Sequence, residues 1–374
     1  MWSRDLPEDV VVEILSRLPV KSLMRFKSVR KSWHALIRNH SFITQHHRWA
    51  TSDNQGRGVV FTHKHQGQTH VALLSNDTLE MSRDIEMLSF FPENFYRLVI
   101  DGPCNGIFFL YGKSSECLYG EEIMLWNPAT RESKLLPIIK QRSRYSGPYV
   151  AYNFGFGIDP KTNDLKVVRI VYFFQHKQPQ FEVYNLSTDS WRVIDTPVGR
   201  LDYIFYPRFP SYLNGFYHWK ARGYGITGRR DFHYFMFSFD MSNEVFQETQ
   251  VPRVIKNSAG GEIAIINDSV SLIQRHFKWA SSWYDIWVMN DTGVKRTWTK
   301  KFKLGPHPQL HKMLQFREDG LVLFQCHDGW LILYDHKTQE VRNIAKYDHT
   351  GFYDSFAACY TETVVLLNDR NVME

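Results

Sequence analysis

Cysteine is scarce in this chain: four in 374 residues, Cys104, Cys117, Cys326 and Cys359, none of them in a CxxC. So few cannot build a disulfide framework, and the usage fits a reducing compartment. Long apolar runs are missing as well, since none approaches the roughly 20 residues that span a bilayer. Arg4, Asp5, Glu8 and Asp9 near the N-terminus leave no apolar core for a signal peptide. The expectation is a soluble protein of the cytoplasm, with the nucleus also open to it, and no membrane partner. The sequons at Asn76, Asn185, Asn267 and Asn290 then read as turn chemistry rather than glycan sites. A basic excess is lacking over most of the length. Residues 1–50 hold nine Lys/Arg against four Asp/Glu, while the remainder holds 36 against 35. A body so balanced argues against a nucleic-acid partner.

Aromatic residues are abundant: 27 Phe, 19 Tyr and 11 Trp. Rings at that density point to β-structure, where they fit a pleated surface. The length exceeds what one compact domain usually holds, which suggests two units or a repeat assembly.

Residues 1–47 read as a small all-α unit. Val11, Ile14, Leu15 and Leu18 follow one helix face. Pro7 suits the first helical position, Glu8 and Asp9 suit the positive end of the helix dipole, and Pro19 ends the helix. A second apolar series runs Leu23, Phe26, Val29, Trp33, Leu36 and Ile37. Two or three short helices are expected, closed by Ser41 and Phe42. The apolar positions exceed one buried stripe, so the surplus either packs on the rest of the chain or docks a partner.

From about residue 58 the period becomes that of strands, and residues 48–374 read as one repeat unit. A strand ending in a polar turn recurs with anchors at Asn76, Asn127, Asn185, Asp240, Asn290 and Asp335, spaced 51, 58, 55, 50 and 45 residues apart. A companion turn into an apolar strand precedes most copies: Asn105-Gly106, Asn214-Gly215, Asn267-Asp268 and Asp319-Gly320. Two hairpins per ~50 residues give about four strands per unit, the blade of a β-propeller. Six anchors predict about six blades. The run Val364 to Leu367, after Phe356-Ala357-Ala358, is expected to supply the strand that closes the ring.

No catalytic constellation emerges, and no cofactor or metal is expected. Among His63, His65 and His70 the i, i+2 spacing lets two share a strand face, but a metal site needs more ligands and a second shell. Gly155-Phe156-Gly157 lacks the third glycine and helix of a dinucleotide loop and reads as close β-packing. Glu121-Glu122 would diverge on a strand, unsuited to paired-carboxylate catalysis. Aromatic and basic segments are better candidates for a protein-binding surface. They contain Arg142, Arg144 and Tyr145, then Tyr203, Tyr206 and Arg208, then Arg222, Tyr224, Arg229 and Arg230.

The run from Leu6-Pro7-Glu8-Asp9 through Leu18-Pro19-Val20-Lys21-Ser22-Leu23, with Arg25-Phe26 and Lys31-Ser32-Trp33, resembles a plant F-box. Ser28 stands where that family often has cysteine. Leu125 to Arg131, Gly155 to Val168, Trp191, Phe239-Asp240, and Ile286 to Met289 with Trp298 resemble the associated kelch-like domain, most closely that of the S-locus F-box class. The resemblance implies a three-helix F-box followed by a β-propeller, in a non-catalytic receptor subunit of a ubiquitin ligase. Leu6, Pro7, Ile14, Leu15, Leu18, Pro19, Leu23, Phe26, Val29 and Trp33 would form the F-box core and its docking face for a Skp-type adaptor, and through it a cullin–RING ligase. The propeller would hold a protein target, an S-ribonuclease if the S-locus subtype applies. A propeller glycosidase or lectin with an accessory helical segment is the other reading, and the glycosidase predicts carboxylates clustered at the central channel.

Overall fold

The computed structural model describes residues 6–52, 56–66, 68–87, 95–114, 121–137, 149–173, 179–199, 201–225, 228–252, 255, 261–278, 281–291, 296–348 and 355–368. Helices α1 (Glu8–Ser16), α2 (Val20–Phe26), α3 (Lys31–Arg38) and α4 (His40–Ser52) come first. Pro7 and Pro19 stand immediately before α1 and α2, where a missing N–H costs nothing. Ser41 and Phe42 do not close the helical unit; they open α4. Asn39 accepts a 2.8 Å hydrogen bond from the Ser41 N–H, and Phe42, His46 and Ala50 then fall four residues apart on a buried face. The unit has four helices where two or three were expected, because the Asn39 side chain caps a further helix at Ser41. Among the described residues, no helix is long and apolar enough to cross a membrane.

Six antiparallel sheets follow. The first uses β1 (Arg57–His65), β2 (Gln68–Ser75) and β3 (Met81–Glu86). The second runs through β4 (Phe95–Cys104), β5 (Ile107–Ser114), β6 (Glu121–Asn127) and β7 (Glu132–Leu135), and the third through β8 (Tyr149–Ile158), β9 (Leu165–Phe173), β10 (Gln180–Asn185) and β11 (Ser190–Ile194). In the fourth, β12 (Leu201–Ile204) and β13 (Tyr212–Leu213) share the first position, before β14 (Phe216–Gly225), β15 (Gly228–Asp240) and β16 (Phe246–Gln250). The fifth holds β17 (Glu262–Ile266), β18 (Ser269–Lys278), β19 (Ser281–Asp291) and β20 (Arg296–His307). The sixth holds β21 (Lys312–Phe316), β22 (Leu321–Gln325), β23 (Trp330–Asp335) and β24 (Val341–Lys346). Strand β25 (Ala357–Thr361) pairs with β1 and completes the first blade, so this is a six-bladed propeller closed by its last strand.

All six repeat anchors fall at the turn between the third and fourth strand of a blade. In three of them the side chain itself makes the turn. Asn127, Asp240 and Asp335 accept backbone N–H bonds two residues on, at 3.0, 2.8 and 2.7 Å. The companion turns join first strand to second; Asn105-Gly106 and Asn214-Gly215 have both residues at positive φ, the pairing a two-residue hairpin demands. Neighbouring blades meet in separate apolar cores, and the rings fill them: Trp126, Trp219, Tyr184, Tyr217, Tyr334 and several Phe are fully buried. Trp191 and Trp298, on outer strands, donate to the Pro137 and Gln250 carbonyls of the preceding blade at 3.0 and 2.8 Å.

Ring closure differs from expectation in one respect. The closing strand is Ala357–Thr361, and residues 364–367 form no strand. Their backbone is held instead by blade 2 side chains. The Asn127 amide donates to the Thr363 and Val365 carbonyls at 3.1 and 2.8 Å, and Glu132 accepts from the Leu367 N–H at 2.8 Å. Val364 enters the helical core with Leu15, Val20, Leu23, Ile37 and Phe42, whereas Val365 and Leu367 join the core between blades 2 and 3. The run is apolar because it is buried on two sides, not because it is a sheet strand.

Asp101 on β4 is buried, receiving hydrogen bonds from the Tyr217 hydroxyl and, at 2.7 Å, from the Gly102 N–H. Burial outweighs both donors and pushes its carboxyl up from 3.8 to about 6. Between those values the folded state keeps a proton that the unfolded chain loses, so this group makes stability fall as pH rises through that window. Asp101→Asn is expected to flatten the profile between about pH 4 and 6, a difference of about 2–3 kcal/mol. Thermal midpoints of both chains across that range check it, and parallel profiles would refute it.

Candidate functional site

Two surfaces stand out at opposite ends of the molecule. The first is on the helices. Leu15 and Leu23 are fully buried, and Leu18, Phe26 and Trp33 pack half-buried around them, Phe26 and Trp33 with ring centroids 5.6 Å apart. His46 Nε2 lies 2.9 Å from the Leu18 carbonyl oxygen and tethers α4 to the end of α1; burial lowers its pKa. The rest of the apolar set faces outward: Leu6 is 58%, Val10 41%, Ile14 47% and Val29 60% exposed, with Pro7 and Pro19 exposed too. Val10 and Ile14 are one helical turn apart on α1 and extend the patch begun by Leu6 and Pro7. One face of the unit packs on Val364 and Ala129 of the propeller, and another stays open.

The helices sit at the end of the propeller where first strands finish. Ala129 lies in the turn after β6, and Asn163, in the turn after β8, hydrogen-bonds His40. At the other end, where first strands begin, a cavity of about 240 Å³ opens. Arg208, Glu262, Arg275, Tyr284 and Lys312 supply its polar lining, with Ser355 and Phe356 at the start of the closing segment. Arg208 Nε and Glu262 Oε1 are 3.5 Å apart, Arg275 donates to Ser282 Oγ at 3.1 Å, and Lys312 donates to the Ser355 carbonyl at 2.7 Å. Burial raises the Glu262 carboxyl, with Arg208 and Lys220 opposing; burial also lifts the Tyr284 hydroxyl to about 12. Among the described lining residues, three cations, Arg208, Arg275 and Lys312, stand with one carboxylate, Glu262. A glycosidase needs two carboxylates across its site, and the described residues lining this cavity include only Glu262.

The F-box domain family matches residues 4–45, and the F-box associated β-propeller domain family matches residues 64–364. The chain is an F-box protein with an F-box-associated propeller. Among its relatives in Arabidopsis thaliana, F-box protein At3g07870 is 26% identical over 91% of this chain and 87% of its own length. F-box/kelch-repeat protein At3g23880 is 26% identical over 87% and 89%, and F-box protein CPR1 is 23% identical over 94% and 86%.

Within this F-box protein, the ten adaptor-face residues read from sequence divide by burial. Leu15 and Leu23 are internal; Leu18, Phe26 and Trp33 support them; Leu6, Pro7, Ile14, Pro19 and Val29 are accessible. Val10 belongs with the accessible group and was missed, although it stands four residues before Ile14. Of the target-face residues, Arg208 reaches the cavity. Tyr203, Arg222 and Tyr224 gather at the same end on blade 4, half-buried rather than free-standing. Tyr203 stacks on Tyr172 at 6.3 Å and meets Phe205 edge-on at 5.0 Å; Arg222 donates to Asp202 at 2.6 Å and lies 4.4 Å from the Phe232 ring. Tyr206 is half-buried in the segment between β12 and β13. Arg142, Arg144 and Tyr145 lie outside the described residues, as do the side chains of Arg229 and Arg230 on β15. Glu262, Arg275, Tyr284 and Lys312 were not legible as a group, since they come from four strands of two blades and share no local motif.

Proposed function

We propose that this protein is the target-recognition subunit of a cullin–RING ubiquitin ligase. The apolar face of Leu6, Val10, Ile14 and Val29 docks on a Skp-type adaptor, and the cavity end of the propeller takes a protein target. The observation that carries this reading is the opposed placement of the two surfaces on one packed body. Val364 and Ala129 lock the helices to one end, while the cavity opens at the other. A receptor of this kind needs no catalytic group of its own. It raises the effective concentration of a target lysine near the ubiquitin-conjugating enzyme, and geometry does the rest. The cytoplasm and nucleus are the compartments where such a ligase works.

The cavity, lined by Arg208, Arg275 and Lys312, fits an acidic segment of the target, with Tyr203, Phe205 and Tyr224 as a neighbouring aromatic rim. The motif resemblance to the S-locus class supports S-ribonucleases as one target class to be assayed. Co-expression with a plant Skp-type adaptor and gel filtration tests the docking half: a one-to-one complex is expected, and a folded chain eluting alone would overturn it. For the target half, Arg208→Glu with Lys312→Glu is expected to cut target capture by at least about tenfold while adaptor co-elution stays unchanged. Undiminished capture would move the target site elsewhere on the propeller.

A further inference from the structure

The far end of blade 1 carries a second constellation that neither docking surface uses. His63 on β1 pairs directly across to His70 on β2, and Asp84 on β3 pairs with Ala72, two residues along from His70. Alternate residues of a strand share a face, so His63, His70 and Asp84 project to the same side. Their side chains converge. His63 Nε2 lies 3.0 Å from Asp84 Oδ1, His70 Nδ1 lies 3.1 Å from Asp84 Oδ2, and one ligand atom from each residue falls within 4.8 Å of the others.

His63 is 4% exposed, wedged against the Tyr347 ring at 4.9 Å. Both of its ring nitrogens face oxygen acceptors, for Nδ1 lies 3.2 Å from the Lys64 carbonyl oxygen. A neutral imidazole carries only one N–H, so one lone pair must oppose an oxygen unless a positive charge intervenes. A second proton on His63 would answer that mismatch for its own ring only, while the His70 ring, its centroid 5.5 Å away, presents its nitrogen to the same carboxylate. A single divalent cation satisfies all three groups at once. Two imidazoles and a carboxylate are the donor set that borderline divalent ions prefer, zinc foremost. Bonds of about 2.0–2.2 Å would draw the three donors inward by small side-chain rotations.

We propose that His63, His70 and Asp84 form a zinc site at the target-facing end of the ring-closing blade. The Lys64 carbonyl orients His63 from behind, as an acceptor to Nδ1–H does for a zinc histidine. Three protein ligands leave a coordination position open. His65, whose ring centroid lies 5.4 Å from that of His70, and Glu86, paired opposite His70, flank that position. The ion ties β1, β2 and the outermost strand β3 together. That strand is largely exposed and has no fifth strand beyond it, so it gains most from the clamp.

The test uses the full-length, tag-free chain in complex with its adaptor, stripped with chelator and titrated with zinc alone. The expected result is one equivalent bound, with the thermal midpoint rising with zinc concentration. Asp84→Asn, at a half-exposed position that tolerates the change, is expected to weaken binding by more than about 100-fold and abolish the zinc-dependent rise while keeping the metal-free midpoint. His70→Gln gives the same loss from a second ligand, so a folding failure of one variant does not decide the matter. Absence of stoichiometric zinc in the unmutated chain, or full retention in either variant, would overturn the site. A midpoint that depends on pH through these residues but not on zinc would also overturn it, leaving a plain His–Asp–His ion pair.

Discussion

Val10→Asp combined with Ile14→Asp is expected to abolish co-elution with the adaptor and leave the chain folded. Both side chains are nearly half exposed on α1 and contribute little to the helical core. Each would bury its apolar surface only on docking, and an interface anchor of this kind is worth about 2 kcal/mol or more. A carboxylate in its place adds a desolvation cost with no partner. Two such changes should weaken the complex by about 100-fold or more. Thermal unfolding of the same variant should move little. Leu23→Asp makes the contrast, since Leu23 is fully buried among Leu15, Ile37 and Phe42. A charge there should unfold the helical unit and lose adaptor binding for a structural reason. Wild-type affinity in the Val10/Ile14 variant would place docking on a different surface.

Gly155→Ala and Gly157→Ala should each destabilise the propeller severely. Both glycines lie on β8, the first strand of blade 3, where blade 4 presses rings against the backbone. A Cβ on Gly155 would stand 2.6 Å from Tyr217 Cδ1 and collide with the Trp219 indole as well; on Gly157 it would run into the Tyr212 ring. Those rings cannot withdraw. Trp219 donates to the Phe154 carbonyl at 2.9 Å and Tyr212 to the Ile158 carbonyl at 2.7 Å, each pinned to the strand it crowds. Overpacking of this kind costs about 1–3 kcal/mol even when neighbours can shift, so about 3 kcal/mol or more is expected here, read as a fall in thermal midpoint or loss of soluble protein. Gly199→Ala is the control, because its Cβ would meet only the flexible end of Glu248. A midpoint for Gly155→Ala within a degree or so of that control would mean blade 4 gives way more easily than its hydrogen bonds imply.

The blades were readable because each carries its own local turn chemistry. Asn127, Asp240 and Asp335 make their turns with their own side chains, and the Asn-Gly pairs satisfy positive φ without help from elsewhere. Gly155 and Gly157 were likewise legible as close packing, though not the rings they admit, which come from 55 to 64 residues further along. Features set by distant partners were not. Val364 looks like a strand residue because apolar runs usually are, and only the Asn127 amide and the helical core reveal its actual surroundings. Helix α4 was hidden by polar residues and histidines around a buried stripe of Phe42, His46 and Ala50. On α1, periodicity grouped Ile14 with Leu15, yet one is open and the other buried. The exposed apolar face lies on the shoulder of the stripe, where spacing alone does not separate core from surface. The cavity and the His63–His70–Asp84 cluster depend on strand register, which no linear motif records.

Residues 362–367 arrive late in synthesis, yet Val364 is part of the core on which the first helices rest. A ribosome still translating blade 5 has already released α1 to α4 and the Ala129 turn they rest on, but those helices lack the Val364 side of their core until the last residues emerge. An interrupted or truncated chain would carry its helices less firmly seated than the full chain does.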